Sequence, residues 1–214
     1  MPRLIYKNAA GKRVPGVTTI TRELGWAGEN LKLWANKLGL EGYPLQGYMD
    51  NLADIGTLAH QMVTDTLLGK KTDTSDYSAK QIEKAKNCLR SYQNWLSTRS
   101  VEPINCEIPL VSEQYQYGGT ADFYGKIDGK LTLLDYKTGK FIFDEHIIQV
   151  AGGYAMLLAE NNLPVDEIVI LSIPRSDGEA FSALPVSPRL QEIAQKVFKN
   201  CLETYKLHYQ MKGE

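Results

Sequence analysis

The sequence predicts an α/β protein: a central mixed sheet flanked by helices, with a helical segment at the N-terminal side. Three observations predict it. Asp128-Gly129 separates two strand-like stretches, and a two-residue type I′ turn suits this dipeptide because both turn residues need positive φ. Helical apolar spacing recurs around residues 78–98, 144–160 and 187–205. From residue 78 the order reads helix, three strands, helix, strand.

The elements follow in order. Leu4-Ile5-Tyr6, with turns from Asn8 to Gly11 and at Pro15-Gly16, suggests a small strand or hairpin. Val17-Thr18-Thr19-Ile20 opens a short helix that Thr18 or Thr19 can cap and Gly25 ends. A second helix, Asn30 to Leu38, carries Leu31, Trp34 and Leu38 on one stripe and stops at Gly39. A longer helix runs from about Asp50 to Leu68, closed by Gly69, with Ala53, Gly56, His60, Val63 and Leu67 inward. Gly56, one turn before His60, lets another backbone or a ligand come close.

Residues 70–77 form a polar linker. The helix after it starts at Ser78, whose capping box is completed by Gln81. It buries Ile82, Ala85, Leu89, Tyr92 and Leu96. Lys80, Lys84, Lys86 and Arg90 lie on the other face, as a solvated surface or a phosphate-contacting rim. The first strand is Ile104 to Val111, between Pro103 and Pro109; the next two are the hairpin arms. Leu131 and Leu133 face one way and Leu134 the other, as a strand covered on both sides requires. A helix from Asp144, its N-cap, to about Glu160 carries Gln149 in its first turns. Val165 to Ile173 is a buried strand, turning at Ser176-Asp177-Gly178 into Glu179 to Leu184. The last helix opens at Ser187-Pro188 and covers the sheet.

Composition bounds the function. The chain has 214 residues, 43% hydrophobic and 23% charged, which suits one substantial core. We expect a single domain over 1–214, with a helical part at 1–77 that carries His60 and an α/β core at 78–214. No apolar run approaches the roughly 18 residues of a membrane span. The N-terminus reads as neither signal nor transit peptide, so a cytoplasmic location is expected, in a bacterial or virus-infected cell, with no membrane partner. Cys88, Cys106 and Cys201 form no Cys-x-x-Cys pair; Cys88 and Cys201 read as core. With a net charge of −1, any nucleic-acid contact needs a local groove and a metal.

The hairpin carries the chemistry. With Asp128-Gly129 as the turn, Ile127 faces Lys130 and Asp122 stands opposite Asp135. Opposed side chains share a face with Cβ atoms about 5 Å apart. The period of two adds Lys137 to that face. The set could be an exposed charge cluster. Its neighbours are apolar, however, and buried like charges without a cation are expensive. Oxygen donors suit Mg²⁺ or Mn²⁺. A lysine there can hold or orient a nucleophilic water.

Asp122 with Asp135-Tyr136-Lys137 resembles the D…(D/E)-x-K signature of the PD-(D/E)XK nucleases. The RecB-like branch that includes the mitochondrial genome maintenance exonuclease and phage exonucleases is nearer still. Gly56 to His60, Gly118 to Phe123, Asp135 to Gly139 and Gln149 carry the likeness. The resemblance implies a restriction-endonuclease-like core and a metal-dependent DNA exonuclease of DNA processing, recombination or repair. It implies a metal held by His60, Asp122, Asp135 and the Tyr136 carbonyl, with Lys137 and Gln149 in catalysis. DNA ends or single strands would be the partner, with a possible protein partner in recombination or repair. No iron–sulfur cluster is expected from three cysteines.

Three points stay open. His60 is a buried histidine with a backbone partner or, beside this set, a ligand. Glu107 is an accessory acid or an ordinary exposed strand residue. Trp26, Trp34 and Tyr48 stack on bases or belong to the core. The family places a tyrosine four residues after its glutamine; here Tyr154 is five after Gln149. On an α-helix that turns it about 140° away, so Tyr154 is left out. The alternatives are a non-catalytic DNA-binding or interaction module, or a structure-specific endonuclease.

Overall fold

A computed structural model describes residues 4–26 and 28–213. Five strands form one mixed sheet in sequence order: β1 (Val101–Ser112), β2 (Tyr117–Ile127), β3 (Lys130–Lys137), β4 (Glu167–Ser172) and β5 (Ser182–Pro185). Only β3 and β4 pair in parallel. That crossover needs a helical connection, and α5 (Asp144–Ile147), a π-helical segment (Ile148–Tyr154) and α6 (Ala155–Glu160) supply it. Helices α1 (Val17–Thr21), α2 (Gly28–Leu40), α3 (Leu45–Leu67) and α4 (Ala79–Leu96) precede the sheet, and α7 (Pro188–Gly213) follows it. The architecture is α/β with helices on both faces of the sheet, consistent with a restriction-endonuclease-like core.

The turn chemistry holds. Asp128 has φ +52° and Gly129 φ +82°, and Ile127 pairs with Lys130. Ser78 caps α4 and Gln81 bonds back to its N–H at 2.9 Å. Each face of the sheet packs its own core. One gathers Leu133, Ile168 and Ile170 with the π segment, α6 and α7. The other gathers Leu134, Tyr136, Val169 and Leu171 with α3 and α4. β3 is thus covered on both sides.

Some boundaries move. β1 runs through both Pro103 and Pro109, which an edge strand tolerates because one row of its N–H groups has no partner strand. Gly16, not a threonine, caps α1, and Phe143, not Asp144, caps α5. Helix α2 continues through Gly39 and ends near Gly42, which has φ +81°. Of its expected stripe Leu38 is buried but Leu31 is exposed, because α2 packs on little besides α3. The buried stripe of α3 is Ile55, Leu58, Ala59, Met62 and Val63; Ala53 is exposed and His60 lies on the stripe's flank. Trp26 is exposed, while Trp34 and Tyr48 meet edge to face.

Candidate metal and phosphodiester site

The site forms where the sheet splits. Pairing of β2 with β3 ends at Phe123 and Leu134, one pair short of Asp122 and Asp135. Side-chain alternation also breaks there: Ala121 lies in one core and Phe123, two residues on, in the other. The two acids therefore do not face each other across a continuous ladder, as the register alone predicts. Instead Asp122 turns its carboxylate toward β3, and its Oδ2 accepts the Tyr136 N–H at 2.9 Å. A side chain thus satisfies a backbone donor that the parting strands expose. Because the N–H and C=O of one strand residue leave on the same edge, the Tyr136 carbonyl points into this split. Side chains from both helical layers can reach an opening of this kind.

From one layer comes His60, on α3. Its Nδ1 lies 3.4 Å from Asp122 Oδ1 and 4.0 Å from Glu107 Oε1. Ligand atoms of His60, Glu107 and Asp122 all lie within 4.8 Å of one another. Gly56, one turn before His60, packs on the strand-leaving segment; a Cβ there would sit 3.2 Å from Thr138 Oγ1. Within β3, Lys137 Nζ is 2.7 Å from Asp135 Oδ2. Asp135 is 1% exposed, and its oxygens have no hydrogen-bond donor beyond that ammonium among the described residues.

From the other layer comes Gln149, whose Nε2 donates to Tyr154 Oη at 2.7 Å. An α-helix would turn Tyr154 away, as its spacing predicts. Residues 148–154, however, wind as a π-helix. Its i→i+5 bonds take one more residue per turn and bring positions five apart onto one face. Gly152 and Gly153 permit the close packing here. A Cβ on Gly152 would fall 2.7 Å from the Ala194 carbonyl oxygen of α7, and one on Gly153 2.6 Å from Val17. The paired glycines of β2 serve the same site. A Cβ on Gly119 would strike the Tyr154 ring at 2.7 Å, and one on Gly118 the Tyr6 ring at 2.4 Å.

Glu107 is not an ordinary strand residue. Its φ is +53°, a left-handed conformation that costs a non-glycine residue about 1–3 kcal/mol. It falls between the pairs Cys106–Phe123 and Ile108–Ala121, directly across from Asp122. Nothing local in the sequence signals that backbone. Phe141 and Phe143, both exposed on the segment leaving β3, likewise carry no sequence signal of their position. Lys80, Lys84, Lys86 and Arg90 are all solvent-exposed, and Arg90 approaches Asp177 at 3.9 Å.

The electrostatics describe a site short of positive charge. Burial raises Asp135 to about 6, with the Asp122 carboxylate adding to the rise and Lys137 opposing it. Glu107, whose side chain is 44% exposed, is raised to about 7 by partial burial, again helped by Asp122. Burial alone would lower His60, but the adjoining Asp122 carboxylate more than reverses this, to about 9. Asp122 itself is also penalised by burial, yet His60, Lys137 and the Tyr136 N–H together bring it below the ordinary carboxylate range.

The donor set fits a divalent cation. Two carboxylates and an imidazole converge, and the buried Asp135 has no donor beyond the Lys137 ammonium among the described residues.

No family model matches the chain, and no curated protein matches it. Among solved structures, that of the exonuclease LHK-Exo in complex with dAMP aligns over 76% of this chain and 90% of that one, at 12% identity and a TM-score of 0.34. No helix among the described residues is long and apolar enough to cross a membrane. What the site can do rests on its own side chains.

Proposed function

We propose that the chain is a metal-dependent DNA exonuclease of the PD-(D/E)XK type, in the RecB-like branch, and that residues 1–214 act as one nuclease domain. The observation that carries this reading is the Asp135–Lys137 pair at 2.7 Å beside Asp122 and His60. A buried acid such as Asp135, with no donor but one ammonium, is costly to keep for structure alone. It makes sense as a cation ligand with a lysine aimed at the same place.

His60, Asp122, Asp135 and the Tyr136 carbonyl would hold Mg²⁺ or Mn²⁺, with Glu107 able to contribute a further oxygen. The cation, when bound, supplies Lewis acidity toward a phosphate oxygen and toward water. Lys137, held by Asp135, positions the attacking water and shares its proton. Gln149 orients Lys137 or a phosphate oxygen, and Tyr154 fixes the Gln149 amide. The partner is DNA, at ends or in single strands, in processing, recombination or repair.

The test is hydrolysis of 5′- and 3′-end-labelled DNA with Mg²⁺ or Mn²⁺. Stepwise shortening is expected, with loss of activity in EDTA and in Lys137→Ala. An inactive wild type in both metals, or an active Lys137→Ala, refutes the assignment. Cleavage of closed circular DNA would replace the exonuclease reading with an endonuclease one.

A further inference from the structure

A cleft of about 970 Å³ lies between the N-terminal hairpin, α1 and the C-terminal half of α7. Its lining departs from the chain's average. The whole protein balances 24 Lys+Arg against 25 Asp+Glu. The cleft is lined by Lys12, Arg13, Arg22 and Lys206, and by no carboxylate among the described residues. None of these four cations pairs with a carboxylate among the described residues either. Four cations facing one hollow, unpaired with carboxylates among the described residues, create a local positive potential on a protein of net charge −1.

The same walls carry tyrosines. Tyr205 and Tyr209 pack with ring centroids 4.6 Å apart, and Tyr209 is exposed. Tyr6 forms the far wall, between the cleft and β2. Its hydroxyl lies 2.9 Å from Thr120 Oγ1, and its ring covers Gly118. Gly118 and Thr120 precede Asp122 on β2 by four and two residues.

We propose that this cleft binds a short run of single-stranded nucleic acid. The proposal deepens the nuclease reading and rests on it for the cleft's purpose. Cations track the backbone, and tyrosine faces accept bases of any identity. The volume lies within the range of ligand pockets, about 300–1,000 Å³, which suits a few nucleotides rather than a duplex.

Binding is measured without catalysis, by fluorescence anisotropy of a 5′-labelled 12-nucleotide single strand in EDTA, for wild type and Arg13→Glu/Lys206→Glu. The affinity is expected to fall tenfold or more. The slope of log K against log salt should become shallower by about 0.7 for each cation that no longer meets a phosphate of the single strand. Lys12→Gln/Arg22→Gln gives a second, milder variant, expected to move both readouts the same way, and thermal melting checks that each variant is folded. Unchanged affinity and slope in both folded variants overturn the proposal. So does a variant that no longer binds blunt duplex but keeps the single strand, or equal competition by a polyglutamate peptide of the same charge. Hydrolysis of bis(p-nitrophenyl) phosphate with Mn²⁺, too small to use the cleft, should be unaltered in the variants. If wild type binds the strand through these cations but hydrolyses neither substrate, the cleft stands and the nuclease reading falls.

Discussion

Gln149 Nε2 meets Tyr154 Oη at 2.7 Å across a spacing of five residues. Only the π-helical winding of residues 148–154 makes that contact possible. It fixes the Gln149 amide against a buried tyrosine. Burial raises the Tyr154 hydroxyl well above the ordinary phenol range, with Asp135 and Asp122 contributing, so it stays a neutral acceptor for the amide.

Replacing Gly152 tests the winding. An alanine methyl there meets the Ala194 carbonyl and Phe198 Cβ, both within 3 Å. Gly152→Ala is expected to destabilise by about 1–3 kcal/mol, the usual cost of overpacking. Urea denaturation measures it, and a loss below experimental error would mean that α7 is not held against the π segment as described.

Tyr154→Phe removes one hydroxyl and little volume. Stability should fall by about 1 kcal/mol, the net value of a hydrogen bond. If Tyr154 acts by orienting Gln149, kcat on DNA falls about tenfold, equivalent to about 1.4 kcal/mol, with KM little changed. A change in KM alone would place Tyr154 in substrate binding instead.

Lys137→Met leaves Asp135 buried without its counter-ion. Breaking a buried pair costs about 3–5 kcal/mol if the remaining charge stays ionised. Asp135 can avoid most of that by holding its proton, since its pKa already stands at about 6 and rises further without Lys137. The variant should therefore lose little stability at pH 5 and clearly more at pH 8. Paired melts at the two pH values decide it; an equal loss at both would contradict the ionic account.

Cation binding should grow with pH. A raised carboxyl costs stability as pH climbs from its ordinary value to its folded one, here from 3.8 to about 6 for Asp135 and from 4.5 to about 7 for Glu107. For His60 the raised pKa means stability that is complete below 6.5 and lost as pH rises through about 9. The metal-free protein should thus melt at progressively lower temperature from pH 6 to 9. Metal binding requires the deprotonated forms of all these donors. The gain in melting temperature with Mn²⁺ should therefore be least at pH 6 and greatest near pH 9, and be abolished in Asp122→Asn. A gain that shrinks with rising pH would rule out this ligand set.

How far the sequence could be read depended on the range of the forces involved. The Asp128-Gly129 turn, the Ser78–Gln81 capping box and the alternation that buries β3 on both faces are local, set by φ preferences and bonds within a few residues. They were enough for the α/β class, the element order and the hairpin register from Ile127–Lys130 to Phe123–Leu134, which stops one step short of Asp122 and Asp135. The amino-acid order also marked His60 through its place one turn after Gly56. The rest was decided by packing between distant segments. Gly152 and Gly153 allow α7 and α1 to press on residues 148–154, and this shifts Tyr154 onto the face of Gln149. The parting of β2 from β3 turns Asp122 onto the Tyr136 N–H and leaves Glu107 with positive φ across from it. The cationic cleft joins Arg13 to Lys206, nearly the whole chain apart. Turn and cap chemistry is written into neighbouring residues, whereas close approach between remote surfaces is settled only when the chain is folded.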